Sequence, residues 1–452
     1  MKTIIAGSGK VGAILARKLV AENYDVTVID TDSSTLQLVQ EQNDVMTVSG
    51  NCAITGVLSE ADVEGSDLLI ATSGSDETNL LCCLTAHTMN PDIHTIARIK
   101  NPEYISQIYD MRETFALSMI ITPERRAAVE IERLLRYPGF LKLDTFAKGR
   151  VEIVELRIEG DSKLKDKPLS QLNSIIKCKV LVCIVLRDGN AITPYGDFVL
   201  REGDRIFVTA STDDLTTLLK NLGIITRKVK HVIVCGASRI CHYLCEKLVR
   251  SGIGVTVIDN DKEKCRQLSA MHPDVNVVEG DASSSFTLER EGVDRCDALI
   301  ALTGMDELNI IISLYGHSHK VPQIITKLDH VDDNAILDFL PQSSVICPKE
   351  LCGDLIVGYV RAMEKQAGAA RAVHSIADGK AEAIEFRVDG TTHHTSEPLK
   401  HIKVRKNVII ACIMRRGKTV IPNGDTEFYP GDTMIVVTKS GDTVYQLNDI
   451  FE

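Results

Sequence analysis

The sequence predicts an α/β chain of two doubly wound parallel-sheet domains, each followed by a small α+β domain. Three observations predict it. Residues 5–12, IAGSGKVG, place three glycines between an apolar strand-like start and a helix-like stretch. Apolar strands and amphipathic helices then alternate, the pattern of βαβ crossovers in a parallel sheet. Finally, nearly the whole pattern recurs 225 to 230 residues later.

Taken in order, TIIA, VGAILARKLVAENY and DVTVID read as strand, helix and strand. DVMTV, a helix through LSEADV, DLLIAT, a helix through DETNLLCCLTAHTMN, IHTIARI and, after one more helix, LSMII complete a sheet of six strands. In TPERRAAVEIERLLRYPG, Thr122 can cap a helix, Pro123 suits its first turn, Glu124 suits its positive end, and Pro138 with Gly139 stops it. From about residue 150 the texture turns to VEIVELRI, KVLVCIVLRDGNAI and RIFVTAS, with a hairpin expected at Arg187-Asp188-Gly189-Asn190 and a closing helix, DDLTTLLKNLG. RKVKHVIVCG restarts the cycle.

The repeat is specific. DLLIATSGSDETN (67–79) and DALIALTGMDELN (297–309) are identical at eight of thirteen positions. VSGNC (48–52) meets VEGDA (278–282), TPERR (122–126) meets CPKEL (347–351), and TPYGDFVLREGDRIFV (193–208) meets IPNGDTEFYPGDTMIV (421–436). The expected organisation is a parallel-sheet domain at 1–120, a crossover helix at 121–140 and a small domain at 141–226. The second set falls at 229–346, 347–366 and 369–452. The helices at 122–137 and 347–363 are expected to carry subunit pairing and a hinge, with Leu134 and Leu135 at the pairing face; ordinary packing on their own sheet is the competing reading.

At 452 residues the chain exceeds what one core supports. An apolar content of 44% and a charged content of 25% are those of a globular protein. A net charge of −11, with no Lys/Arg block, argues against nucleic acid and anionic lipid as partners. No apolar run approaches the ~20 residues of a membrane span, so the expected location is the cytoplasm. The thirteen cysteines include no C-x-x-C pair and read as small buried hydrophobes rather than zinc ligands.

In the glycine loop, Gly7 is expected to make a tight turn, Gly9 to admit a pyrophosphate to the backbone, and Gly12 to let helix and sheet pack closely. Asp30, 23 residues after Gly7, would accept from an adenosine ribose, and the absence of a following arginine favours NAD over NADP. Asn51, Thr72, Ser73 and Arg98 lie at carboxyl ends of strands. Asn51 and Thr72 read equally as turn or cap residues, and Arg98 either meets a phosphate or pairs with a carboxylate. No cluster of acid or base suits hydride chemistry, and H-E-x-x-H, Walker and G-x-S-x-G patterns are absent. Binding without catalysis is therefore favoured, with a NAD-dependent oxidoreductase as the alternative.

IIAGSGKVG with VTVID, the GN after the third strand, LLIATSGSDETN, the arginine of IARI, the TPE helix, the PYGD and REGD elements and their repetition together resemble the TrkA family. These are regulatory subunits of Trk-type potassium uptake systems built from tandem RCK (KTN) units. The resemblance implies a homo-oligomer, a tetrameric ring docked at the inner face of the membrane beneath a TrkH/TrkG-like transporter subunit. It implies gating by NAD(H) or by ATP/ADP. Carried over by position, the nucleotide residues would be Gly7, Ser8, Gly9, Lys10, Val11, Gly12, Asp30, Thr72, Ser73 and Arg98. In the second half they would be Gly236, Ala237, Ser238, Arg239, Ile240, Cys241, Asp259, Asp281, Thr303 and Lys327. Cys241 in place of Gly12 is tolerable at a packing position, but Ser238 in place of Gly9 should crowd a pyrophosphate, so the second site is expected to bind a dinucleotide weakly or to prefer a mononucleotide such as ADP or ATP.

Overall fold

The computed structural model describes residues 1–136, 142–146, 151–222, 229–329, 343–363, 370–439 and 444–452. The chain divides into two compact units, Met1–Arg126 with Pro348–Val357, and Ala127–Cys347 with Gly358–Glu452.

The first unit is built on one parallel sheet. Its strands are β1 (Lys2–Ala6), β2 (Asp25–Asp30), β3 (Met46–Ser49), β4 (Leu68–Ala71), β5 (His94–Arg98) and β6 (Met119–Ile121), in the order β3-β2-β1-β4-β5-β6. This is the strand order of a Rossmann domain, with its reversal between β1 and β4. The helices α1 (Lys10–Ala21), α2 (Ser33–Gln42), α3 (Thr55–Glu60), α4 (Asp76–Met89) and α5 (Pro102–Asp110) connect the strands. β4 is buried along its whole length, and so is β1 after Lys2. That is what helices on both faces of a parallel sheet require of its central strands, and why these strands read as continuous apolar runs.

Helix α6 (Pro123–Arg136) starts in the first unit and continues into the second. Its expected stop, Pro138 and Gly139, lies outside the described residues. The second unit first forms an antiparallel sheet from β7 (Lys142–Phe146), β8 (Val151–Arg157), β9 (Val180–Arg187), β10 (Asn190–Ile192) and β11 (Arg205–Ala210), with α7 (Leu172–Ile176) and α8 (Thr212–Leu222). The hairpin β9–β10 turns on Asp188 (φ 50°) and Gly189 (φ 71°), the positive angles a two-residue turn of type I′ needs.

The six-stranded parallel order then recurs in β12 (His231–Cys235), β13 (Gly254–Asp259), β14 (Asn276–Glu279), β15 (Ala298–Ala301), β16 (Gln323–Lys327) and β17 (Ser343–Ile346). Its helices are α9 (Arg239–Arg250), α10 (Lys262–Met271), α11 (Ser285–Arg290) and α12 (Asp306–Ser318). After α13 (Pro348–Met363), a second antiparallel sheet is made of β18 (Ala370–Ile376), β19 (Ala381–Arg387), β20 (Val408–Arg415), β21 (Lys418–Val420) and β22 (Thr433–Lys439).

The two antiparallel sheets share one core, in which Phe146, Ile153, Ile184 and Phe207 meet Ile376, Ala411, Cys412 and Ile435. Each sheet also holds a buried carboxylate paired with a part-exposed guanidinium. Asp204, 1% exposed, accepts Arg187 Nε and Nη2 at 2.7 Å each, and Arg187 stacks on Phe198 at 4.6 Å. Asp432 accepts Arg415 Nη2 at 2.9 Å, and Arg415 lies 4.4 Å over Tyr429. Two parallel donors from a planar fork make this the strong form of ion pair. These pairs explain why R-x-G and G-D recur in both halves.

The crossover helices are packed within the chain. Leu134 and Leu135 on α6 are 0% and 3% exposed, and Gln323 Nε2 donates to the Leu134 carbonyl at 2.6 Å. The expectation that these leucines present a face for subunit pairing is therefore corrected: their apolar surface is used up inside the monomer. In the first unit, Lys18 on α1 is bound by Glu350 (2.7 Å) and Asp354 of α13, and Arg17 by Glu350 (2.7 Å). Burial opposes the Lys18 charge, but the two carboxylates outweigh it and raise its pKa.

Candidate nucleotide sites

The first site forms where β1 passes into α1. Gly7 has φ +111°, and a Cβ there would lie 2.8 Å from the Ser73 nitrogen, so only glycine fits the turn. Gly12 faces back onto that turn, and a Cβ on it would approach the Gly7 carbonyl oxygen to 1.9 Å. The close approach predicted for Gly12 is thus to the loop itself. Gly9 is different: it is exposed, and a Cβ there would meet nothing within 4 Å. It is also the N-cap of α1 and carries no side-chain acceptor. The first amides of α1, including those of Lys10 and Val11, are thereby left without the side-chain cap that helices usually supply, an arrangement suited to an anion.

Asp30 ends β2 beside this loop. Its Oδ2 accepts from Ser8 N (2.6 Å) and Ser8 Oγ (2.8 Å), and its Oδ1 accepts from Asp32 N (3.0 Å). Burial works to raise its pKa, but the backbone donors of Asp32 and Ser8 outweigh it, so the carboxyl titrates below its ordinary value. Oδ2 already accepts twice, so Oδ1 is the oxygen with room for a ribose hydroxyl.

The remaining predicted residues divide by role. Thr72 is 5% exposed and its Oγ1 donates to the Gly7 carbonyl at 3.2 Å, so it braces the glycine turn. Ser73 N donates to Asn79 Oδ1 (2.8 Å) and Ser73 Oγ to the Ser75 carbonyl (3.2 Å). Asn51 is exposed and accepts from Ala53 N at 3.0 Å, the turn reading of this residue. Arg98 Nη2 meets Glu124 Oε1 at 3.1 Å, at the first turn of α6, while Arg98 Nε and Glu124 Oε2 are buried without a hydrogen bond. The carboxylate-pairing alternative for Arg98 is the arrangement observed.

Two residues passed over in the sequence hold this region together. Asn79, fully buried, accepts from Ser73 N and donates to the Arg98 carbonyl (2.9 Å). Asp76 accepts from the backbone of Lys100 (2.9 Å) and Asn101 (2.8 Å). Asn309 and Asp306 do the same in the second half, with Thr303 N (2.9 Å), the Lys327 carbonyl (3.0 Å) and Asp329 N (2.9 Å). Recurrence of D-E-x-N in both halves was the available signal.

The second site is a cleft of about 260 Å³ walled by Gly236, Ser238, Asp259, Lys264, Asp281 and Thr303, among others. Gly236 has φ +110°, nearly that of Gly7. Asp259 repeats Asp30, accepting from Ala237 N (2.7 Å) and Asp261 N (2.8 Å). Backbone and hydroxyl donation from Ser283 lowers the Asp281 pKa. The differences are local. Ser238 Oγ caps α9 by accepting from Cys241 N at 3.3 Å, so one helix amide is occupied where Gly9 leaves it open. Leu302 takes the place of the bracing Thr72. Arg239 is exposed at the start of α9. Lys327 is buried outside the cleft lining, its Nζ 3.3 Å from Asp329 and donating to the Thr303 carbonyl at 3.3 Å, so its predicted contact with ligand is not what this arrangement offers.

Among the described residues no helix is long and apolar enough to cross a membrane. No group of three or more His, Cys, Asp or Glu among them could hold a metal ion.

Comparison with known proteins decides the family. The TrkA-N domain matches residues 3–123 and again 232–348, and the TrkA-C domain matches 153–223 and 384–451. The chain belongs to the TrkA family. A "Trk system potassium uptake protein TrkA homolog" of Archaeoglobus fulgidus is 30% identical over 452 residues, covering 100% of both chains. TrkA of Haemophilus influenzae is 27% identical over 463 residues, covering 100% of this chain and 99% of its own. The family is one of potassium uptake proteins, not of oxidoreductases, so the dehydrogenase alternative is set aside. Among solved structures, the GsuK channel bound to NAD superposes with a TM-score of 0.62 at 19% identity, covering 97% of this chain and 77% of that one. The GsuK RCK domain gives 0.62 at 20%, covering 97% and 92%. At that identity the likeness shows the fold: tandem Rossmann and antiparallel domains of the TrkA arrangement.

Proposed function

We propose that this TrkA chain is a cytoplasmic nucleotide-sensing subunit that gates a Trk-type potassium transporter through a TrkH/TrkG-like membrane partner, as a homo-oligomeric ring. NAD(H) is its ligand at the first site. The observation that carries the reading is the uncapped start of α1 at Gly9, open to approach, beside a ribose acceptor, Asp30, already oriented by Ser8 and Asp32. A pyrophosphate would take the free amides and a ribose the carboxylate. Its potassium-uptake relatives and the likeness to a GsuK channel bound to NAD support it. A ligand moves a gate only by its differential affinity for two states, and a dianionic group beside Arg98 and α6 can supply that difference.

The second cleft favours a mononucleotide such as ADP or ATP, because the Ser238 side chain stands where a pyrophosphate would cross and its hydroxyl already occupies one helix amide. The test is an NADH titration of wild type beside Gly9→Val and Asp30→Ala. Affinity is expected to fall at least about tenfold in each, or about 1.4 kcal/mol. Undiminished affinity in both overturns the first-site assignment, and equal NADH occupancy of both sites overturns the distinction between them.

A further inference from the structure

The two nucleotide loops differ in more than their glycines. In the first, Ser8 Oγ is hydrogen-bonded to Thr35 Oγ1 on α2 at 2.5 Å and donates to Asp30 Oδ2 at 2.8 Å. Two hydroxyls thus bridge the glycine loop to α2 beside the ribose acid. At the shift of 229 that aligns Asp30 with Asp259, Ser8 becomes Ala237 and Thr35 becomes Lys264, so both partners of the bridge are replaced together. With the hydroxyls gone, the oxygens of Asp259 accept once each, from Ala237 N (2.7 Å) and Asp261 N (2.8 Å), and both have room for a ribose hydroxyl. Lys264, in the first turn of α10, occupies the position from which the Thr35 side chain reaches the glycine loop, and it lines the second cleft together with Ala237 and Ser238. Among the described residues walling that cleft it is the only cation, beside the carboxylates Asp259 and Asp281. It pairs there with Asp261 at 3.5 Å, both side chains being well exposed, and a long, exposed pair of this kind gives way readily to a stronger anion.

We propose that Lys264 is the phosphate anchor of the second cleft, selecting a nucleotide whose phosphate chain ends in a monoester over a dinucleotide, whose phosphates are bridged on both sides. The inference deepens the second-cleft reading given above and rests on it. A terminal phosphate carries about −1.5 to −2 charges at pH 7, whereas a phosphate esterified on both sides has a single ionisable oxygen. The lysine ammonium is a compact point charge on a flexible stem, so it follows a free chain end without demanding one plane of approach. Ser238 Oγ meanwhile occupies the α9 amide that a bridging pyrophosphate would use. Asp259 then holds the ribose and Lys264 the phosphate end. The first site, with neutral Thr35 at this position and an open amide at Gly9, has the opposite preference.

The experiment uses the full chain carrying Gly9→Val, a substitution with nothing within 4 Å of the new Cβ, so that binding reports the second cleft. ADP and adenosine are titrated into this protein and into the same protein with Lys264→Thr, Lys264→Arg or Asp259→Ala. Thr35 shows that a threonine is accommodated at this point of the helix. Acetic anhydride labelling with peptide mass spectrometry reads the protection of Lys264 itself. Lys264→Thr is expected to lower ADP affinity at least about tenfold and leave adenosine affinity unchanged, while Lys264→Arg retains ADP binding. ADP should shield Lys264 from acetylation and adenosine should not. If Asp259→Ala weakens ADP binding but Lys264→Thr does not, if Lys264→Arg loses as much as Lys264→Thr, or if bound ADP leaves Lys264 unshielded, the inference fails and the second-cleft reading stands. If ADP does not bind, or binds equally well after Asp259→Ala, the second-cleft reading fails and the inference with it.

Discussion

Gly9→Ser separates the two demands made on the first glycine loop, and the second half of the chain already carries the answer for stability. Gly9 has φ −61° and ψ −179°, and Ser238 adopts φ −83° and ψ 171° at the equivalent cap, so a serine fits the backbone without strain. Its Cβ would meet nothing within 4 Å, and its Oγ can accept the amide three residues on, as Ser238 accepts Cys241 N. A serine cap in place of glycine contributes a few tenths of a kcal/mol. Removing a glycine from the unfolded chain contributes about 0.4–1 more. The variant should therefore be more stable than wild type by roughly 1 kcal/mol, while NADH affinity falls at least about tenfold because the new side chain fills the approach to the amides. Gly12→Ala is the opposite case. Its Cβ would stand 1.9 Å from the Gly7 carbonyl oxygen, a backbone atom that cannot swing aside, and the forced shift should cost about 1–3 kcal/mol. Urea unfolding and NADH titration of both variants test this together. A Gly9→Ser protein that binds NADH as wild type does would refute the placement of ligand over Gly9.

Glu124→Gln should release Arg98 from its ion pair and raise nucleotide affinity several-fold, while Arg98→Gln lowers it; isothermal titration showing no change in either would remove Arg98 from the phosphate site. Asn79→Ala and Asn309→Ala each strand buried backbone partners and should cost about 1–3 kcal/mol, read as a lower melting temperature. The rings of His242 and His272, hydrogen-bonded between Nδ1 and Nε2 at 2.9 Å, give a pH dependence. Burial lowers both pKa values below the ordinary 6.5, His242 adding to the effect on His272 and Glu246 opposing it on both. The neutral pair's contribution is thus complete above pH 6.5 and is lost as pH falls through the lowered values, because the unfolded state binds protons first. Urea midpoints of wild type and His272→Asn should converge from about pH 7.5 to about pH 5; a constant difference would count against this.

Much of the fold was legible because each signal was local and appeared twice. The central strands read as unbroken apolar runs, the helix start at Pro123 was marked by its cap residues, and Asp188-Gly189 announced its own turn. The carboxyl-end rule found the right loops but could not assign their contacts. Ser73 and Asn51 turned out to satisfy their own loops and Thr72 the neighbouring glycine turn, since a hydroxyl or amide near a ligand site is also what a bare turn needs. Arg98 and Lys327 found carboxylates that only tertiary packing brings near. Leu134 and Leu135 looked like an interface because an amphipathic helix shows its apolar face in sequence without showing what covers it.

The paired Arg187–Asp204 and Arg415–Asp432 forks suggest how the two halves of a duplicated chain drift apart. Losing the arginine of a fork strands a buried carboxylate, so that substitution is penalised at once and must wait for its mate. A serine at a glycine cap, by contrast, is accepted in one step and even tightens the helix it starts. Duplication therefore leaves the girders of both copies locked as couples while the ligand loops are free to change one residue at a time, and a second specificity can arise without the scaffold passing through an unstable intermediate.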